Sequence, residues 1–160
     1  PNHQTGNITP IKFRFDMACA GRLGMELQPR QMTDEERQFA RRAIASYKEY
    51  RDIVMQGDLY RIGTPYDESG CYGVLYVAKD KRQAVLFAYS LRYQGRSLIP
   101  KFRLDGLDPK AGYAGRELNV DKPRFWFDGK TLSGELLMNA GINPHLSKIY
   151  DSAVFILKAQ

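Results

Sequence analysis

Two carboxylates facing one another could serve as a general acid and a general base, so the acidic residues are weighed first. Asp34, Glu35 and Glu36 fall together, but at the start of a helical pattern, where capping and the helix dipole account for them. Asp58 opens a strand pattern, and Asp105 and Asp108 flank a turn. None stands beside a second cluster of functional groups, so the sequence offers no acid/base pair. The two histidines, His3 and His145, are far apart in polar surroundings and read as solvent-exposed. Cys19 and Cys71 belong to no C-x-x-C pair and have no histidine at ligand spacing. They read as buried free thiols, and no metal or cofactor is expected. Gly21-Arg22-Leu23-Gly24 is too short for a phosphate loop, and no long helix follows it at once. In Arg124-Phe125-Trp126-Phe127, a strand would send Phe125 and Phe127 to the core and Trp126 to the other face. Trp126 is then either a surface ring or a contact for a ligand such as a sugar.

The bulk numbers narrow the class. The 160 residues suffice for one domain with a core. The 24 Lys and Arg against 18 Asp and Glu leave a net charge of +6, with the two signs interspersed. A nucleic-acid binder concentrates positive charge on one face or arm, and this chain does not. No apolar run approaches the roughly 20 residues of a membrane span. The sequence starts at Pro1 without a recognisable leader, so a fragment or a processed chain is expected. Free thiols and the lack of a visible signal peptide suit a cytoplasmic protein.

The elements divide the chain in two. Over residues 1–57 the patterns are helical with one short strand. Thr9 as N-cap and Pro10 in the first turn predict a helix over 11–20. Residues 24–27 read as a very short strand. Thr33 and Glu36 form a capping-box signature for a helix over 34–54. Phe39, Ala43, Tyr47, Tyr50 and Val54 make its buried stripe, with Ala40 and Ile44 beside it, and Gly57 stops it. From residue 58 the patterns are strands: 58–62, 73–78, 84–91, 101–104, 112–118, 124–127, 130–133 and 153–158. Asp80-Lys81-Arg82 joins the second and third as a hairpin. Short strands at this spacing predict a two-sheet antiparallel sandwich over 58–160.

Several stretches in order resemble family 36 glycoside hydrolases, chiefly bacterial α-galactosidases. They are Asn2-His3-Gln4-Thr5-Gly6, Gly21-Arg22-Leu23-Gly24-Met25-Glu26-Leu27 and Gly57-Asp58-Leu59-Tyr60-Arg61. Ala84-Val85-Leu86-Phe87, Leu104-Asp105-Gly106-Leu107-Asp108-Pro109 and Ser133-Gly134-Glu135-Leu136-Leu137-Met138-Asn139-Ala140-Gly141 complete the series. Asn7 departs from it, since the family often has Arg there.

The resemblance implies a fold of two parts: residues 1–57 as the last βα elements of a (β/α)8 barrel, then a C-terminal antiparallel β-sandwich over 58–160. Residues 24–27 would be the eighth barrel strand and 34–54 the eighth helix. Both catalytic aspartates of the family lie on earlier strands, and no position here matches either motif. The fragment is thus expected to be inactive alone and to support the barrel, with Tyr47, Tyr50 and Val54 at the seam. His3 and Gln4 would border the substrate pocket, because such barrels place active sites at the C-terminal ends of their strands. The whole enzyme would hydrolyse terminal α-galactosides with retention. The implied partner is that substrate, with no nucleic acid and no membrane; a homo-oligomer and a family relative of different specificity stay open. An autonomous carbohydrate-binding sandwich is the competing reading.

Overall fold

Thr33 starts the longest element. Its hydroxyl accepts from the Glu36 N–H at 3.2 Å, and the Glu36 carboxylate accepts from the Thr33 N–H at 3.0 Å. This reciprocal cap, with Asp34, Glu35 and Glu36 in the first turn, begins helix α2, Asp34–Gln56. The computed structural model describes residues 6–24, 28–92 and 100–160. The earlier helix α1 spans Ile11–Cys19, and a short 3₁₀ turn covers Pro29–Gln31. Met25, Glu26 and Leu27, most of the strand read at 24–27, lie outside the described residues. Pro10, not Thr9, is the N-cap of α1. Its extended ψ of 142° ends the loop, and its carbonyl accepts the first intrahelical bond from the Arg14 N–H at 3.2 Å. Gly57 stops α2 for a steric reason: a side chain there would meet the Ile53 and Val77 carbonyl oxygens at 2.5 and 2.6 Å.

Six strands follow: β1 Asp58–Gly63, β2 Cys71–Val77, β3 Gln83–Ser90, β4 Gly112–Leu118, β5 Thr131–Ser133 and β6 Asp151–Ala159. They form one antiparallel sheet in the order β1-β2-β3-β6-β4-β5. The C-terminal strand is central, between β3 and β4. Its apolar run from Ala153 to Leu157 is buried on both faces, which explains the missing polar alternation.

The two faces carry separate cores. On one, Ala84, Leu86, Ala88, Phe155 and Leu157 meet Phe102, Leu104, Leu107, Phe125, Phe127, Leu137, Ile142 and Leu146. On the other, Val85, Phe87, Tyr89, Val154 and Ile156 meet Phe13 and Cys19 of α1 and Tyr50, Ile53 and Val54 of α2. The two helices cover this face directly, and Phe15, Ala40 and Ala43 fill the space between them.

Two segments read as strands are not. Residues 101–104 do alternate, with Phe102 and Leu104 buried and Lys101 and Arg103 exposed. Yet their only ladder is an isolated bridge between Phe102 and Ile142. Alternation reports an extended, half-buried chain; it does not report a hydrogen-bonding neighbour. Residues 124–127 run into a turn, with the Asp128 and Lys130 N–H groups donating to the Phe125 and Phe127 carbonyls at 3.1 and 2.8 Å. Gly115 makes room for it: a Cβ there would lie 2.3 Å from the Phe127 ring. The layer opposite the helices is therefore loops plus the short helix α3, Gly134–Asn139, and all the strands among the described residues belong to one sheet. The α3 helix has too few turns to show a period; Ser133 caps it by accepting from the Leu136 N–H at 3.2 Å.

Candidate functional site

The sheet is joined to the helices by rings first. Tyr50 of α2 and Phe87 of β3 are fully buried, with centroids 5.7 Å apart and planes at 71°. Edge-to-face pairs of this kind add roughly 0.5–1.5 kcal/mol beyond the area they bury. The seam read from Tyr47, Tyr50 and Val54 is present, with Ile53 as a further member that the stripe omitted. Sheet tyrosines also satisfy carbonyls at the end of α1, which have no partner within the helix. The Tyr89 hydroxyl donates to the Asp16 carbonyl at 2.9 Å and the Tyr76 hydroxyl to the Ala20 carbonyl at 2.7 Å.

Beside the rings lies a polar junction that no sequence pattern revealed. The Asp16 carboxylate is completely buried. It accepts from Asn119 Nδ2 at 2.7 Å and Ser152 Oγ at 2.7 Å, and it pairs with Lys12 one turn earlier. The Lys12 ammonium also donates to the Ser152 carbonyl at 2.9 Å. A second cluster adjoins it, with buried carboxylates around a partly exposed Arg124. Arg124 Nη1 donates to both Asp151 oxygens at 3.0 and 3.1 Å, Nε donates to Glu117 at 3.1 Å, and Nη2 donates to the Ser152 carbonyl at 2.8 Å. Burial alone would push the Asp151 carboxyl up. The Ser147 N–H and the Arg124 charge outweigh it, and the net shift is down. Burial likewise works against the charge on Arg124, but Asp151 and Glu117 outweigh it and raise the group.

These groups border an open cleft of about 590 Å³ where α1, α2, the 119–124 segment and residues 147–152 come together. Its lining carboxylates are Asp121 and Asp151, with Asp16 and Glu117 buried behind it. Asp16, Glu117 and Asp151 are each neutralised by a cation and hydrogen-bonded, so none is placed to attack or to protonate a ligand. Arg42 and Asp121 at the same cleft pair with each other at 2.6 Å. Asp34 pairs with Arg37 and Asp58 with Lys79, on the surface.

His3 and Gln4 lie outside the described residues. His145 is exposed, its ring 6.2 Å from that of Phe125. Cys19 and Cys71 are buried free thiols. Among the described residues no group of three or more His, Cys, Asp or Glu could hold a metal ion, and no helix is long and apolar enough to cross a membrane. Phe125 and Phe127 are buried and Trp126 is 57% exposed, the distribution expected of a strand but produced by a turn.

Rings and a buried charge join the sheet to two helices, and comparison with known proteins places the chain among the glycoside hydrolases. The model of the glycosyl hydrolase family 36 C-terminal domain matches residues 71–157, and the melibiase model matches residues 1–57. The chain belongs to glycosyl hydrolase family 36. It is 36% identical over 162 residues to probable alpha-galactosidase C of Aspergillus flavus, covering 100% of this chain and 20% of that protein. The galactosidase domain of the alpha-galactosidase–sucrose kinase AgaSK of Mediterraneibacter gnavus superposes with a TM-score of 0.86 at 30% identity, over 100% of this chain and 21% of that one. The alpha-galactosidase AgaA of Geobacillus stearothermophilus, solved in complexes with stachyose and raffinose, gives 0.85 at 27% identity, over 100% and 21%. The chain thus spans about a fifth of the length of these relatives, which come from fungi as well as bacteria. Their likeness runs through both parts of the chain, against a self-contained binding module.

Proposed function

We propose that this chain is the supporting C-terminal piece of an α-galactosidase that hydrolyses terminal α-galactosides with retention. Residues 1–57 supply the last βα elements of its (β/α)8 barrel, and residues 58–160 form the β-domain. The sandwich's second layer, in this reading, is the irregular one made by 100–107, 124–130 and 134–146. The observation that carries the proposal is the Tyr50–Phe87 seam. It joins the helices to the sheet by a continuous apolar core, as a barrel wall joined permanently to its neighbour requires. The catalytic carboxylates belong to barrel strands outside this chain, consistent with every buried carboxylate described here being spent on a structural partner. His3 and Gln4 then lie after a barrel strand and border the pocket.

The test compares this chain with the full-length enzyme on a chromogenic α-galactoside and follows the anomer of the first product. Turnover with retention by the full enzyme, and none by the 160 residues, is the expected result. Turnover by this chain alone would overturn the assignment. Replacing His3 with Ala in the full enzyme is expected to raise KM; an unchanged KM removes His3 from the pocket.

A further inference from the structure

We propose that Arg37 and Tyr47 are positioning residues for the barrel pocket. From one helix they hold the two ends of the stretch read as the eighth barrel strand, and so set the height at which that strand reaches the pocket. The barrel and its pocket rest on the α-galactosidase reading above; the two anchors rest on geometry.

Tyr47 holds the entry end. Its hydroxyl donates to the Gly21 carbonyl at 3.0 Å and accepts from the Leu23 N–H at 3.4 Å. The C-terminal sheet holds the same turn through the Tyr76 hydroxyl, which donates to the Ala20 carbonyl at 2.7 Å. These two hydroxyls are the ends of one chain of rings. Tyr47 meets Tyr50 at 5.7 Å and 89°, Tyr50 meets Phe87, and Phe87 meets Tyr76 at 6.3 Å and 88°. Residues 20–23 are thus fixed by α2 and the sheet together.

Arg37 holds the exit end. Its Nη1 donates to the Met32 carbonyl at 2.5 Å and to the Pro29 carbonyl at 3.4 Å, at the start of the 3₁₀ turn and just past its end. Asp34 pairs with Nη2 and aims the guanidinium. Arg37 and Tyr47 are ten residues apart on α2, which is about 15 Å along a helix. A strand of the four residues 24–27 covers about 13 Å. One helix therefore carries both anchors at the spacing the strand needs. The exit is the functional end, because such barrels build their pockets from the C-terminal ends of the strands and the loops that follow. A strand free to slide would carry residues 28–32 with it, and small misplacements of positioning groups cost large factors in rate.

Steady-state kinetics of the full-length enzyme on a small chromogenic α-galactoside, well below its melting temperature, test this. Tyr47→Phe and Arg37→Met remove the hydrogen-bonding groups but keep the ring and the stem, so both variants are expected to fold; melts run alongside check it. Each is expected to lower kcat/KM about fivefold, the worth of one ordinary hydrogen bond. Arg37→Lys, which keeps a donor, should recover part of the loss. Sites this far apart normally act independently. Two anchors of one strand do not, because either alone still restrains it. The double variant is therefore expected to lose more than the product of the single losses, which is about twenty-five-fold. In an active parent, an unchanged kcat/KM in either single variant, whatever its melting temperature, overturns the proposal alone. So does a double loss no larger than the product. An inert parent overturns the α-galactosidase reading, and the proposal falls with it.

Discussion

Ser152 donates its hydroxyl to the Asp16 carboxylate at 2.7 Å, joining the central strand β6 to helix α1 across 136 positions of sequence. The Asn119 side chain reaches the other oxygen of the same carboxylate from the end of β4. One buried charge thus collects donors from α1, from β6 and from the segment after β4. Such a group gives the seam a register that rings alone, which can slide, would not.

Removing that acceptor should cost more than any single ring contact. Asp16→Ala leaves the Lys12 ammonium, the Asn119 amide and the Ser152 hydroxyl facing one another without a carboxylate. Breaking a buried pair by deleting one partner typically destabilises by about 3–5 kcal/mol. Because Lys12 keeps some access to water, the expectation is the lower end, about 3 kcal/mol. Urea unfolding of this chain measures it; a loss below about 1 kcal/mol, the worth of an ordinary hydrogen bond, would show the junction to be ornamental.

At the apolar seam, two substitutions of Tyr50 should part company. Tyr50→Ala empties a fully buried site, and large aromatic-to-Ala changes cost about 3–5 kcal/mol. Tyr50→Phe keeps the ring. The hydroxyl it removes makes no hydrogen bond of normal geometry, and the polar group it feels is the weakly bonding Cys19 thiol. The Phe variant should then be neutral or slightly more stable, because a buried, poorly partnered hydroxyl is lost. Thermal melts of the two variants beside the parent decide it.

The long amphipathic helix, its capping box and most strands were legible because each is a local pattern. Thr33 and Glu36 are three residues apart, and the stripe from Phe39 to Val54 repeats with the helix. What escaped reading was non-local. Lys12, Asp16, Glu117, Asn119, Arg124, Asp151 and Ser152 lie in four separate stretches, and nothing in their spacing brings them together. Asp16 sits between Phe15 and Met17, three residues before the buried Cys19, and that was the one signal available: a charge among core residues is kept where it has a partner. The second sheet failed for the opposite reason. Residues 101–104 carry a true alternation, but which strand accepts their hydrogen bonds is decided by tertiary placement.

Arg124 tests whether the second cluster is a charge balance or a set of independent bonds. Arg124→Ala strands Glu117 and Asp151, both buried, without a counter-charge; because Arg124 itself is about a third exposed, the expected cost is at or below the lower end of the range for a buried pair, about 3 kcal/mol. Arg124→Lys retains the charge, but a single nitrogen cannot serve Asp151, Glu117 and the Ser152 carbonyl as the three guanidinium nitrogens do, so it should recover only part of the loss. The Ala variant should regain stability as pH falls and the stranded carboxylates take up protons. The parent has the opposite slope, because the depressed Asp151 carboxyl contributes stability above its unfolded value of 3.8 that is lost as pH falls through the folded value. Chemical denaturation from neutral pH down to below 3.8 compares the slopes, and parallel slopes would refute the charge-balance account.

Alkaline pH should weaken the helix–sheet seam. Burial pushes the Cys19 thiol from 9.0 up to about 11, and it raises the buried hydroxyls of Tyr50 and Tyr89 as well. All three sit in the core between α1, α2 and the sheet. A folded value above the unfolded one means that the native state holds its proton longer. The stability this represents is intact below pH 9.0 and is lost as the pH rises toward about 11, where the unfolded chain ionises first. Melting temperature should thus be flat up to pH 9 and fall beyond it, while Cys19→Ala, lower throughout from its lost packing, should fall less steeply over the same range. Below that range the thiolate is suppressed and buried, so Cys19 should resist a thiol reagent at pH 8 until the chain is unfolded in denaturant. Rapid labelling of Cys19 in the native protein would mean that the seam opens readily, which would contradict the packing of Phe13, Tyr50 and Phe87 around it.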